Sequence, residues 1–196
     1  MPIWFTTFIA GLDATWVQNL ILAIGLSLTL MTIRSQYAIA RKQSTLQKIE
    51  AFRSDTKYQD ALQKINLMRQ QKIDPAGLNT VMRDTRRTQT DRDEARDRLL
   101  ACNYVLGTFD LFAMGIRLHI IDDHIFKAYY YSTYIEIAEF LRTFISSRRD
   151  LAKQQIESKK YVSHETIYQD TLWLLQRWKD APLQEIGRST WHPFGR

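Results

Sequence analysis

The chain has 196 residues, 45% of them hydrophobic, with a formal net charge of +6 and a sequence pI of about 9.5. That length accommodates one membrane segment and one domain of roughly 100–150 residues. Its single cysteine, Cys102, excludes an intrachain disulfide and a multi-cysteine zinc site, and seven glycines and four prolines are too few for a turn-rich β fold.

Residues Pro2–Leu12 are apolar but too short to span a bilayer, and they read as an interfacial segment on the outer side (1–13 with Asp13). From Ala14 to Ile33 twenty residues pass without a charge. As a helix they extend roughly 30 Å, the thickness of a hydrocarbon core, so 14–33 reads as a transmembrane helix. Asp13 stands at the N-cap position and Trp16 at the aromatic belt. A cleaved signal peptide would need a basic start, and Met1–Leu12 contains no Lys or Arg. Arg34, Arg41, Lys42, Lys48 and Arg53 follow the span, which places the N-terminus outside and the C-terminal part in the cytoplasm. Within the span, Ala23/Ser27 and Gly25/Thr29 are small-xxx-small pairs, and Gly25 and Ser27 are candidates for self-association.

Helix-period patterns fill the rest. Tyr37, Ile39, Leu46, Ile49, Phe52, Leu62, Ile65 and Met68 predict membrane-proximal helices over 34–73, with a break near Ser54-Asp55. Asp74–Gly77 predicts a turn, opening a helical domain over 74–180. Arg83–Arg98 holds six arginines against five acids and no aromatic, with Arg87/Asp91 and Glu94/Arg98 at i,i+4. Balanced charge of this kind predicts a solvated helix, and no nucleic acid is expected as a partner.

Two apolar stripes then predict an antiparallel helical hairpin over 98–147. The first is Leu99, Cys102, Val105, Leu106, Phe109, Phe112, Ala113 and Ile116. The second is Phe126, Tyr129, Tyr130, Thr133, Ile137, Phe140, Leu141 and Phe144, with Asp122 as its N-cap. A last helix is expected over His164–Lys179, capped by Ser163, with Ile167, Leu172, Leu174, Leu175 and Trp178 on its apolar side. The tail over 181–196, with Trp191, reads as irregular. The fold class is therefore all-α: one N-terminal transmembrane helix, then a cytoplasmic helical domain built around a hairpin.

Arg41-Lys-Gln-Ser-Thr-Leu46 after the apolar helix, Asp110-x-x-x-Met114-Gly-Ile-Arg117 and Ile120-Ile-Asp122 resemble a bacterial family of uncharacterised membrane-anchored proteins, catalogued as a domain of unknown function. The resemblance covers residues 14–150 and implies one N-terminal span and a small helical cytoplasmic domain. It implies no reaction. His119 departs from the pattern, standing where such proteins often carry the glycine that ends the first hairpin helix.

Three constellations are candidates for chemistry. His119, Asp122 and His124 have the residue types of a transition-metal site, but Asp122 is also a cap and a helix starting there points Asp123 and His124 apart. Asn103, Asp110 and Arg117 repeat every seven residues on one helix face. They fit a solvated flank, a core network or a partner contact. Glu136 and Glu139 imitate half of a di-metal carboxylate site, yet the chain contains no Glu-x-x-His. Nor does it contain a nucleophile elbow, a phosphate loop or a dinucleotide fingerprint, so neither cofactor nor enzymatic activity is expected. The sequence points to a non-enzymatic membrane-tethered interaction or scaffold protein, with Asp110 and Arg117 as interaction candidates. The lipid bilayer and a protein partner or a second copy are its expected neighbours. The alternatives are an oligomerising membrane effector of a stress or phage-defence response and a metal-dependent enzyme.

Overall fold

The computed structural model describes residues 14–156 and 166–182. The expected segment 1–13 with its Asp13 cap, the expected helix start at Ser163–Glu165 and Trp191 lie outside these residues. The fold is all-α. Helix α1 spans Ala14–Ser54, α2 Thr56–Gln70, α3 Leu78–Arg83, α4 Gln89–Arg117, α5 Asp123–Phe140, α6 Arg142–Ile156 and α7 Gln169–Asp180, with a 3-10 turn at Pro75–Gly77. The chain divides into two compact units, Met1–Gln43 and Ser44–Arg196.

In the first unit every large apolar side chain from Trp16 to Ile33 is exposed, up to 71% at Met31. The hydroxyls of Ser27, Thr29 and Thr32 each donate to the carbonyl four residues back, at 2.8–2.9 Å. Such back-bonding satisfies a hydroxyl without a partner from outside the helix. Tyr37 and Ile39, expected on the apolar side, are exposed too.

The second unit is built around α4. Helices α2, α3 and α7 pack directly on it, α7 also packs on α5, and α6 lies against the 3-10 turn. The 3.6-residue period places all eight members of the first predicted stripe in the core. The end of α1 joins this core through Ile49 and the half-buried Phe52, whose ring meets Tyr58 at 5.4 Å and Phe112 at 4.5 Å between centroids. Phe109 stacks on Tyr134 and Phe112 on Phe126, each at 4.5 Å, bringing α4 and α5 together through aromatic rings.

Several boundaries follow from local chemistry. The break after Ser54 is fixed by Asp55, whose carboxylate accepts from Lys57 N at 2.9 Å; Asp74 likewise accepts from Ala76 N at 3.0 Å. The polar stretch 83–98 is not one helix, because α3 stops at Arg83 and Thr88 caps α4 through Asp91 N. Arg87 thus lies outside the helix and meets Asp84 rather than Asp91, whereas Glu94 and Arg98 do pair. The second stripe is interrupted at Leu141, so Phe144 belongs to α6. Tyr129 is 53% exposed, and Tyr134 and Ala138 take the core positions instead.

Candidate functional site

The polar line on α4 meets the N-terminus of α7. That helix begins without a cap of its own, since Tyr168 at its N-cap is left-handed (φ 54°, ψ 34°) and contributes no side-chain hydrogen bond. A helix start leaves backbone N–H groups in need of acceptors. Asp110 supplies one from a distant element. Its Oδ1 accepts from Thr171 N at 2.9 Å and from Thr171 Oγ1 at 3.1 Å, while Tyr134 Oη donates to Thr171 O at 3.0 Å. Thr171 is fully buried, and these three bonds satisfy its N–H, hydroxyl and carbonyl. A carboxylate at this position also suits the positive end of the helix dipole.

The other two members of the line bracket this contact. One turn-pair earlier, Asn103 Oδ1 accepts from Tyr168 Oη at 3.2 Å and Arg148 Nη2 at 3.0 Å. One turn-pair later, Arg117 Nη1 pairs with Asp170 Oδ1 at 2.8 Å. The spacing of seven therefore matches one docked helix start. Of the readings left open by sequence, a network inside the fold is what forms. Asp110 and Arg117 are engaged within the chain, so a partner that senses them must also sense α7.

The far end of α7 is held by α5. Asp123 accepts from Arg177 Nη2 at 2.8 Å and from Trp178 Nε1 at 2.9 Å, Lys179 pairs with Glu139, and Lys127 donates to Ala181 O. Trp178 is in the core, with its ring against Phe126, Tyr131 and Tyr134. Burial of Tyr134 and Tyr168 raises their phenol pKa values above the ordinary range, so both remain protonated donors.

The loop holding His119, Asp122 and His124 serves the turn between α4 and α5. His119 adopts the left-handed conformation (φ 57°), with His119 N bonded to Ile116 O at 3.0 Å and Ile120 N to Gly115 O at 2.9 Å. This is a Schellman closure with histidine where glycine is usual. Gly115 makes room for a close side-chain approach. A Cβ there would lie 2.6 Å from Ile121 Cδ1. Asp122 is buried, caps α5 through Ile125 N at 3.2 Å and donates its own N–H to Thr45 Oγ1 at 2.9 Å. His119 and His124 are exposed, and among the described residues no three His, Cys, Asp or Glu side chains converge. Glu136 and Glu139 are likewise turned to Arg69 and Lys179.

Burial pushes the Cys102 thiol up to about 12, which leaves it protonated and inert at neutral pH. Tyr104 Oη donates to Asp55 Oδ2 at 2.7 Å, and this bond holds the Asp55 carboxyl below its usual range. Sequence reasoning missed that link between α4 and the α1–α2 corner, because nothing in the local pattern of Tyr104 points to a residue so distant in the chain.

No curated protein and no solved structure matches the chain. The model of a domain of unknown function, DUF4760, matches residues 19–178 and so covers most of α1 and nearly all of the helical core. The chain belongs to the DUF4760 family.

Proposed function

We propose that the chain is a non-enzymatic, membrane-tethered interaction protein of a bacterial inner membrane, with its N-terminus outside and its helical domain in the cytoplasm, where it holds a protein partner. The observation that carries this reading is the surface of α1 over residues 16–33. Its apolar side chains are exposed, its hydroxyls are satisfied within the helix, and no charge interrupts it. A surface of that kind is costly in water and stable in hydrocarbon. Arg34, Arg41, Lys42, Lys48 and Arg53 on one side orient it. Asn103, Asp110 and Arg117 of α4 are engaged at the start of α7, which favours a structural role for this polar line.

The experiment is extraction of the full chain from its own membrane in mild detergent, followed by native mass spectrometry. Resistance to alkaline carbonate and a stoichiometric companion chain, foreign or identical, are expected. Release by carbonate, or turnover of a small-molecule substrate by the purified chain, overturns the reading.

A further inference from the structure

Helix α4 carries a third stripe that neither the core nor the polar line uses. Leu100, Tyr104, Gly107, Leu111, Met114 and Leu118 follow one another at steps of four, three, four, three and four. The five side chains are between 40% and 64% exposed, and a Cβ on Gly107 would meet nothing within 4 Å. One flank of the stripe is Ala101, Thr108 and Gly115, all buried; the other is Asn103, Asp110 and Arg117, occupied as described above. At its end, Leu111 and Met114 join Phe52, Phe112 and Ile120 around an open groove of about 360 Å³.

The geometry points to this stripe as a seam that pairs with the same stripe of a second copy of the chain. Its steps average the α-helical repeat of about 3.6 residues, so the side chains stay on one face from Leu100 to Leu118. A lipid-facing helix needs a broad apolar arc, whereas this one is narrow and bounded on both sides by residues the fold has used. The stripe is also complementary to itself when reversed. About its midpoint Leu100 exchanges with Leu118, Tyr104 with Met114, and Gly107 with Leu111. Two copies laid antiparallel across a two-fold axis thus set leucine on leucine, a thioether on a phenol ring, and Leu111 into the gap above Gly107. A parallel pair would set Gly107 on Gly107 and leave a hole. With Ile120 included, the exposed side chains offer about 600 Å² per chain, or about 1,200 Å² for the pair, at the threshold of a standard specific interface. The inference names a partner for the interaction reading above; it rests on that reading for its role and not for the membrane.

The test uses the full chain in detergent micelles, with mass read by light scattering. The expected result is a dimer whose dissociation constant weakens more than about tenfold on Leu111→Glu, while the unfolding midpoint compared at concentrations where both chains are monomeric stays unchanged, because Leu111 is at the surface of the single chain. Differently tagged Leu100→Cys and Leu118→Cys chains, mixed and oxidised, are expected to form the mixed disulfide and neither homodisulfide. A wild-type monomer, a dimer that withstands Leu111→Glu, or homodisulfides alone would overturn the seam. A monomer carrying a foreign subunit, or one whose Leu118→Cys label is blocked only by added lipid vesicles, overturns it too, yet leaves the tethered interaction reading intact.

Discussion

Trp16–Ser54 and Gln89–Arg117 are both long and apolar enough to cross a membrane, yet the most apolar window of the first is 0% buried and that of the second 61%. Composition does not separate them; the arrangement of polar groups does. The apolar part of α1 keeps the hydroxyls of Ser27, Thr29 and Thr32 within the helix, and its amide side chains, Gln18 and Asn19, stand near its start. Helix α4 carries Asn103, Asp110 and Arg117 on one line, and each finds a specific acceptor or donor near the start of α7. A helix with such commitments belongs inside a fold.

Truncating one large apolar side chain in each helix tests that contrast with the largest expected effect. Phe109→Ala should destabilise the domain by about 3–5 kcal/mol, because the ring is buried and stacked on Tyr134. Ile21→Ala, at a site 64% exposed, should change domain unfolding by less than about 0.5 kcal/mol. Urea unfolding of both variants in detergent checks this, and equal costs would break the comparison. Next in size is Asp110→Ala, which strands the buried N–H and hydroxyl of Thr171 and should cost about 1–3 kcal/mol. Faster amide exchange over 169–180 should accompany it; a loss spread evenly over all helices would refute the capping role.

A smaller change of opposite sign is expected at the end of α4. His119→Gly removes the left-handed strain of a Cβ-bearing residue and should raise stability by about 0.5–1 kcal/mol. Thermal melts that move downward would show that the imidazole itself contributes. The smallest effect concerns Asp55, whose carboxyl is held low mainly by Tyr104. A lowered folded pKa gives stability that is present above the unfolded value of about 3.9 and is lost as pH falls through the folded value. Tyr104→Phe should therefore lower stability slightly near neutrality, leave it unaltered at the acid end where Asp55 is protonated in both states, and so flatten the acid side of the profile. An unchanged slope from about pH 4 down to about pH 2 would remove Asp55 from the account.

Much of the fold is legible in the sequence where one helix face is uniformly apolar. The stripe from Leu99 to Ile116 is buried at every position, and the caps at Asp55, Asp74 and Asp122 follow from side chains that accept from nearby backbone N–H groups. The second stripe is less legible because three consecutive tyrosines and Tyr134 compete for the core, and the phenol that reaches Thr171 O wins it. The interruption at Leu141 has no proline or glycine to announce it. For the candidate site, the seven-residue spacing exposes the line on α4 but not its partner, since a contact between Asp110 and Thr171 leaves no local trace. The exposed seam becomes readable only once the core face and the polar flank of α4 have been assigned.

The central claim is that α1 crosses a membrane with the domain on its cytoplasmic side, and thiol accessibility in spheroplasts tests it most directly. Cys102 is buried and protonated, so it stays silent while Thr6→Cys and Gln70→Cys report. The account predicts that a membrane-impermeant maleimide labels Thr6→Cys in intact spheroplasts and reaches Gln70→Cys only after lysis. Labelling of Gln70→Cys in intact spheroplasts, or of both sites alike before lysis, would contradict it.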